Sequence, residues 1–197
     1  MRKQLLDGEQ VFVIYDFLTP EECAEYVRVT EAAGYAAAPI TTIGGPVMAP
    51  EIRNNERVMI DHFDWAAKLW ARAKPLVPSP YLGHEATALN ERFRFYRYDA
   101  GHTFRPHMDG HFARNDDRSQ FTFMVYLNDA CEGGETVIYI HDDGLTLPDG
   151  AEIRVRPETG KALLFFHYLY HEGAPVVSGR KYVLRTDVMY RVGRDDE

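Results

Sequence analysis

Two residues with metal-binding side chains, His107 and Asp109, are separated by a single methionine, Met108. In a β-strand, residues i and i+2 point to the same face, so this imidazole and this carboxylate can hold one ion together while Met108 points away. A third candidate ligand, His171, follows the apolar strand-like segment 163–166. In a β-barrel, this strand can bring His171 into the same pocket as His107 and Asp109, although it is distant from them in the chain.

Two histidines and one carboxylate fill about half of an octahedral coordination shell. The open positions leave room for a chelating co-substrate and for O₂, and this arrangement is diagnostic of non-haem Fe(II) oxygenases. A structural zinc site would instead fill its four positions with protein ligands. His107, Asp109 and His171, the triad below, are therefore candidate metal ligands and catalytic residues. The alternative is that the His-x-Asp pair and the distant histidine are ordinary residues that bind no metal.

Two adjacent cations, Arg180 and Lys181, follow His171 at the start of another strand-like segment. A buried cation beside a metal is costly unless it meets an anion. A dicarboxylate co-substrate would be that anion, so one of these two side chains is predicted to bind it.

Short motifs surround all of these residues. They are Tyr98-Asp99-Ala100-Gly101 before His107-Met108-Asp109, Tyr126-Leu127-Asn128-Asp129 with Glu132-Gly133-Gly134-Glu135-Thr136, Gly160-Lys161-Ala162 ahead of His171, and Gly179-Arg180-Lys181-Tyr182. Through them, residues 95–192 resemble the prolyl 4-hydroxylase-type Fe(II)/2-oxoglutarate-dependent dioxygenases. The segment Phe17-Leu18-Thr19-Pro20-Glu21-Glu22 is similar to the opening of that family.

The resemblance implies a mainly β fold, a double-stranded β-helix (jelly roll) with supporting N-terminal α-helices. It implies Fe(II) as the metal at the triad, 2-oxoglutarate and O₂ as co-substrates, and ascorbate as an additional cofactor. It further implies that Lys181 pairs with the distal carboxylate of 2-oxoglutarate and that Tyr98 hydrogen-bonds the same molecule.

The roles of three positions do not follow directly from the resemblance. Some relatives carry an arginine at the position of Arg180, but neighbouring strand residues face opposite ways, so only one cation can enter the pocket, and we predict Lys181. Arg185 shares the face of Lys181 and either lines the pocket as a co-substrate contact or pairs with a carboxylate. Phe104 stands where relatives often have tyrosine, which removes one hydrogen bond.

The implied reaction is hydroxylation of a prolyl residue in a peptide or protein, with release of succinate and CO₂. Asp109 favours hydroxylation because related halogenases lack this carboxylate and bind chloride instead. One alternative is the same chemistry on a free amino acid or another small molecule. A second is a non-catalytic, cupin-like metal sensor, which would need neither Lys181 nor Tyr98.

The 197 residues fit one domain, with residues 1–90 as N-terminal support and 91–192 as the jelly-roll core. The formal net charge of −8 argues against nucleic-acid binding. Two cysteines without a paired spacing, no signal peptide and no membrane-length apolar run predict a soluble cytoplasmic protein that binds no membrane. The oligomeric state is not predicted.

Local patterns predict the supporting elements. Thr19, Pro20 and Glu22 form the start of a helix that ends near Gly34. A second helix is expected from Asp61 or Asp64 to Lys74, with one apolar face made by Phe63, Ala67, Trp70 and Ala73.

Strands are predicted at 11–17, 92–98, 121–127, 136–140, 152–156, 161–166 and 181–190. Turns are expected between them at 131–134, 142–144, 148–150 and 159–160, and the charged tail after residue 190 is expected to be solvated. Arg57 either points at the substrate or belongs to a solvated strand edge.

Overall fold

The computed structural model describes residues 1–140 and 151–192, so the turns predicted at 142–144 and 148–150 and most of the charged tail lie outside the described residues. Two helices are described, α1 (Pro20–Ala33) and α2 (Phe63–Ala73). The strands are β1 (Arg2–Asp7), β2 (Val11–Tyr15), β3 (Ala36–Ala37), β4 (Ile40–Thr42), β5 (Gly45–Val47), β6 (Glu56–Asp61), β7 (His84–Leu89), β8 (Arg92–Asp99), β9 (Phe104–His107), β10 (Ala113–Arg114), β11 (Asp117–Tyr126), β12 (Cys131–Gly133), β13 (Thr136–Tyr139), β14 (Glu152–Val155), β15 (Ala162–Phe166), β16 (His171–Gly173) and β17 (Val176–Val192).

Two antiparallel sheets form the body of the fold. The large sheet runs in the order β1-β2-β15-β11-β17-β8-β6-β3, with β10 paired to β11 and both β7 and β12 paired to β17. The small sheet runs in the order β14-β13-β16-β9, and β4 and β5 form a separate hairpin. The predicted mainly β jelly roll with N-terminal helices is confirmed. The division of the chain near residue 90 stays a prediction.

Side chains of the large sheet alternate between two apolar layers, as β8 illustrates. Phe93 and Phe95 pack in the layer that includes the helices, whereas Tyr96 and Tyr98 pack with small-sheet residues such as Ile138. This alternation is the two-residue periodicity of a β-strand, and it leaves the space between the two sheets for the site.

Helix α1 begins and ends as predicted. The Thr19 hydroxyl accepts a hydrogen bond from the Glu22 N–H, and the Glu22 carboxylate accepts one from the Thr19 N–H, which is a capping box. Gly34 ends the helix at a φ of 85°, a conformation that glycine adopts without steric cost.

Helix α2 lies where it was expected, and its predicted apolar face is confirmed only in part. Ala73 is buried and Trp70 packs against the core, whereas Ala67 is exposed. The residues buried against the sheet are Ala66, Leu69 and Ala73, whereas Phe63 is 70% exposed. Two small alanines let the helix approach the sheet, and Phe63 in the first turn lies beyond that contact. Hydrophobicity alone therefore assigned too much weight to the aromatic ring.

Cys23 and Cys131 are free thiols, in agreement with the absence of a disulfide framework. Across the described ranges, no helix is both long and apolar enough to cross a membrane. The cytoplasmic location stays a prediction.

Gly160 makes a close backbone contact with the segment that follows β2. Its carbonyl accepts hydrogen bonds from the N–H groups of Phe17 and Leu18, at 3.0 and 3.1 Å. Its φ is +79°, and a Cβ atom at this position would lie 2.1 Å from the Leu18 carbonyl oxygen. Only glycine fits there without moving the backbone.

We expect Gly160→Ala to lower the free energy of unfolding by about 3 kcal/mol, measured by urea denaturation. About 1 kcal/mol reflects the positive φ, and about 2 kcal/mol reflects the backbone clash. Gly8→Ala is the matched control, because Gly8 has a φ of +50° and open space around it. Equal losses in the two variants would contradict the close approach at Gly160.

Candidate metal centre

The structure brings His107, Asp109 and His171 together between the two sheets. His107 ends β9, His171 begins β16, and the two residues are direct partners in the small sheet. One ligand atom from each of the three residues lies within 4.8 Å of the other two. The predicted convergence of a local pair and a distant histidine is therefore observed.

Asp109 reaches the site by a route other than the predicted strand geometry. Strand β9 ends at His107, so Asp109 is not the i+2 residue of a continuous strand. Its N–H instead donates a hydrogen bond to the His167 carbonyl at 3.1 Å, which turns the chain so that the carboxylate reaches the site. Met108 is 44% exposed and points away, as expected.

Backbone hydrogen bonds fix both imidazoles in the orientation that a metal needs. The Nδ1 of His107 lies 2.8 Å from the Arg105 carbonyl, and the Nδ1 of His171 lies 3.0 Å from the Leu169 carbonyl. A carbonyl only accepts, so each Nδ1 carries the proton and each Nε2 keeps its lone pair. Both Nε2 atoms face Asp109, at 4.0 and 3.5 Å from its oxygens.

The protonation states also suit a metal site. Burial lowers the pKa of His107 to about 3 and also lowers the pKa of His171, so both are neutral at neutral pH. Burial alone would raise the pKa of Asp109, but the charge of Arg185 outweighs it and holds that pKa well below its usual range. Two neutral imidazoles thus face an ionised carboxylate.

A chain of hydrogen bonds holds the Asp109 carboxylate. The Thr122 hydroxyl forms a hydrogen bond with Asp109 Oδ2, and the same hydroxyl oxygen lies 3.1 Å from Nδ1 of His167. The other ring nitrogen of His167, Nε2, lies 2.9 Å from the Ser119 hydroxyl. The carboxylate only accepts, so Thr122 must donate to it and accept from His167. Ser119 then donates to His167 and accepts from the Phe112 N–H at 2.8 Å.

Thr122 and His167 were missed at the level of the sequence. His167 is buried, and burial lowers its pKa to about 4, so it stays neutral within the chain of hydrogen bonds. The available signal was Thr122 itself, a polar residue inside the apolar run of β11. Nothing local in the sequence connects it to Asp109.

Lys181, and not Arg180, points into the cavity. Lys181 is 2% exposed, its ammonium donates to the Gly134 carbonyl at 2.8 Å, and it lies 4.1 Å from the centroid of the Tyr98 ring. Burial lowers its pKa to about 8. Arg180 faces outward and pairs with Asp99, as the alternation of strand residues requires.

Tyr98 and Arg185 lie where the sequence placed them. Tyr98 is the direct cross-strand partner of Lys181, and both line the cavity. Arg185 also lines the cavity, and it forms ion pairs with Asp109 at 3.0 Å and with Asp187 at 3.3 Å. Arg185 therefore lines the pocket and also pairs with carboxylates, while its contact with a co-substrate stays a prediction.

Phe104, at the position where a tyrosine was expected, stacks on the imidazole of His107 with 3.6 Å between ring centroids. The ring therefore supports a metal-ligand candidate by packing rather than by a hydrogen bond.

These residues fit an Fe(II) site with room for a chelating anion. The donor set is two imidazole nitrogens and one carboxylate, which suits a first-row divalent metal with open positions. The adjoining cavity of about 50 Å³ is lined by the triad and by Tyr98 and Lys181. A metal held by the triad would thus share one small space with the buried cation of Lys181.

The chain matches the family model of the 2OG-Fe(II) oxygenase superfamily over residues 93–186. It is also 24% identical, over 196 residues, to prolyl 4-hydroxylase 1 of Arabidopsis thaliana. That alignment covers 88% of this chain and 66% of the relative, so the chain spans slightly less than two thirds of the relative's length.

Solved structures show the same fold. A Pseudomonas putida prolyl-4-hydroxylase aligns with a TM-score of 0.64 and 22% identity, over 94% of this chain and 95% of that one. A prolyl hydroxylase from Trichoplax adhaerens, solved in complex with a hypoxia inducible factor oxygen degradation domain peptide fragment, aligns with a TM-score of 0.67 and 18% identity, over 92% and 84% of the two chains.

The residues matched by the family model include the candidate metal site. The match runs from β8 into β17 and includes the triad and Lys181. The chain is therefore similar to the 2OG-Fe(II) oxygenase superfamily over the residues that form the site, and it is similar to prolyl 4-hydroxylases over most of its length.

Proposed function

We propose that this protein is an Fe(II)- and 2-oxoglutarate-dependent dioxygenase that hydroxylates a prolyl residue in a peptide or protein. One atom of O₂ enters the succinate formed from 2-oxoglutarate as CO₂ leaves, and the other enters the new hydroxyl group. The two-electron oxidation of each partner then balances the four-electron reduction of O₂. Ascorbate belongs to the proposal as the reductant that keeps the iron ferrous.

The observation that carries the proposal is the joint placement of the triad and Lys181 in one cavity. His107, Asp109 and His171 would hold Fe(II), which supplies, together with 2-oxoglutarate and O₂, the oxidising power for an unactivated C–H bond. Lys181 would meet the distal carboxylate of 2-oxoglutarate, and Tyr98 would hydrogen-bond the same group.

Asp109 would bind the metal through one oxygen. The Thr122 hydroxyl and the Arg185 guanidinium both contact Oδ2, which also lies 3.5 Å from Nε2 of His171. Oδ1 lies 4.0 Å from Nε2 of His107, and it is the oxygen that Thr122 and Arg185 leave free. This arrangement favours a single metal–oxygen bond and keeps the remaining coordination positions free for the co-substrates.

The assignment of a peptide substrate is supported by the relatives. The similar Trichoplax adhaerens enzyme was solved with a peptide fragment, and the similar plant and bacterial proteins carry prolyl 4-hydroxylase names. The same chemistry on a free amino acid is the alternative. A metal sensor without catalysis is disfavoured, because a sensor would not need a buried Lys181 whose burial lowers its pKa.

The proposal predicts a metal-to-ligand charge-transfer band in the visible spectrum when the metal-free protein is titrated anaerobically with Fe(II) and then 2-oxoglutarate. Asp109→Ala should abolish the band because one ligand is lost. Lys181→Ala should weaken the apparent affinity for 2-oxoglutarate by roughly 10- to 100-fold, since a charge-assisted contact is removed.

Arg180→Ala is the matched control, because it removes the neighbouring cation on the opposite face and should leave the titration unchanged. A folded protein that binds Fe(II) but develops no band would refute chelation by 2-oxoglutarate and favour the sensor.

Thr122→Val should weaken Fe(II) binding by about 10-fold, measured by competition with a chelating dye, because the carboxylate loses the hydroxyl that holds it. Thr87→Val is the control, since Thr87 on β7 hydrogen-bonds the Met189 carbonyl and does not contact the triad. Equal Fe(II) affinities in the wild type and in Thr122→Val would show that the contacts of Thr122 do not organise the site.

A further inference from the structure

Four arginines surround Tyr96 on the cavity side of the large sheet. Arg57 of β6 lies directly opposite Tyr96, and two residues along, Arg94 lies directly opposite Arg185 of β17. Opposite residues of antiparallel strands share a face, so these three side chains all point to the side of the triad. Arg53 approaches from the segment before β6, with its guanidinium 4.7 Å from the centroid of the Tyr96 ring.

Two of these arginines have carboxylate partners. Arg94 pairs with Asp187 at 3.2 Å, and Arg185 pairs with Asp187 and with Asp109. Within residues 1–140 and 151–192, neither Arg53 nor Arg57 forms an ion pair. Four guanidinium groups therefore share two carboxylates, and one of these carboxylates is also the candidate metal ligand.

Arg53 is a buried cation, and one of its guanidinium nitrogens has no hydrogen-bond partner among the described residues. Its side chain belongs to a residue that is 5% exposed, and its Nε donates to the neutral amide oxygen of Asn55 at 2.7 Å. Its guanidinium also packs 4.4 Å from the centroid of Phe104, the ring that stacks on His107. One terminal nitrogen, Nη2, is buried without a hydrogen-bond partner, which is costly unless a ligand supplies an acceptor.

Arg57 is half-buried in a positively charged environment. Burial lowers its pKa, the nearby charges of Arg53, Arg94 and Arg185 lower it further, and only Tyr96 opposes them. The Tyr96 hydroxyl lies in the same positively charged environment. Burial raises its pKa, but Arg185, Arg53 and Arg94 outweigh that effect and bring the pKa to about 8. A bound anion would relieve this repulsion.

An anion bound near Arg53 and Arg57 would occupy a different position from 2-oxoglutarate. Lys181 lies on β17 opposite Tyr98, whereas Arg57 lies on β6, two strands away and therefore roughly 10 Å distant across the sheet. Arg53 is separated from His107 by the single ring of Phe104. An anion bound by Arg53 and Arg57 would thus lie beside the triad but away from the lysine proposed for the co-substrate.

We propose that Arg53 and Arg57 form a carboxylate-binding subsite for the substrate. The subsite rests on the proposed hydroxylase function and narrows its substrate class to molecules that carry a carboxylate close to the reacting carbon. The carboxylate has two sources, an acidic side chain next to the target proline in a peptide, or the α-carboxylate of a free amino acid.

The test uses probes that differ only in charge. Acetylated and amidated tetrapeptides with glutamate or glutamine immediately before or after one proline form the peptide arm, and L-proline against L-prolinamide forms the amino-acid arm. Binding is followed anaerobically as a perturbation of the charge-transfer band of the Fe(II)–2-oxoglutarate protein. Succinate release in air is the second readout. The proteins are the wild type, Arg57→Gln and Arg92→Gln.

Arg92→Gln is the matched control, because Arg92 lies on the same face of β8 but is exposed and paired with Asp61. We expect the wild type and Arg92→Gln to prefer the carboxylate probe of at least one pair by about 10-fold or more. Arg57→Gln should reduce that preference to about 2-fold or less, while the titration with 2-oxoglutarate stays unchanged.

The preferred arm identifies the source of the carboxylate. If the wild type shows no preference in any pair while the band is intact, or if Arg57→Gln keeps the preference, the subsite is refuted and the hydroxylase is not. Absence of the band refutes the hydroxylase itself.

A readout without metal tests the charge argument on its own. Arg57→Gln removes an unpaired, half-buried cation, so the thermal midpoint of the metal-free protein should rise by about 2–4 °C. A fall of similar size would show that Arg57 stabilises the sheet, and it would overturn its assignment to a ligand subsite.

Discussion

The buried carboxylate of Asp109 has to remain ionised between the two sheets, and much of the surrounding structure serves that need. Without partners, a buried carboxylate would take up a proton instead of binding a metal. Arg185 supplies the opposite charge, the Thr122 hydroxyl supplies a hydrogen bond, and two neutral imidazoles face it. The large sheet therefore carries cations on its inner face, and the small sheet carries the histidines.

The parts of this arrangement that follow from local rules could be predicted from the sequence. The alternation of strand residues separates Lys181 from Arg180, and it separates the phenylalanines of β8 from its tyrosines. The capping box of Thr19 and Glu22 is equally local. The pairing of His107 with His171 is not local, and it was reached through motifs that resemble a known family.

Contacts between segments distant in the chain were beyond such rules. Thr122 and His167 meet beside Asp109 only because β11 and β15 are neighbours, and no pattern in either strand indicates their hydrogen bond. The buried face of α2 is set by how closely the helix can approach the sheet, which favoured Ala66 over the larger Phe63. The environment of Arg57 was equally beyond such rules, because only the pairing of distant strands places it near other arginines.

Strand β9, which ends at His107, is the edge strand of the small sheet and has only four residues. On one side it pairs with β16, and on the other it has a single bridge from Phe104 to Arg53. Short edge elements open at a lower free energy than the rest of a fold, as amide hydrogen exchange reveals. A metal shared by His107 and His171 would cross-link β9 to β16 and slow that exchange. Iron would then leave through fraying of this one edge, and its residence time would depend on a local opening rather than on global unfolding.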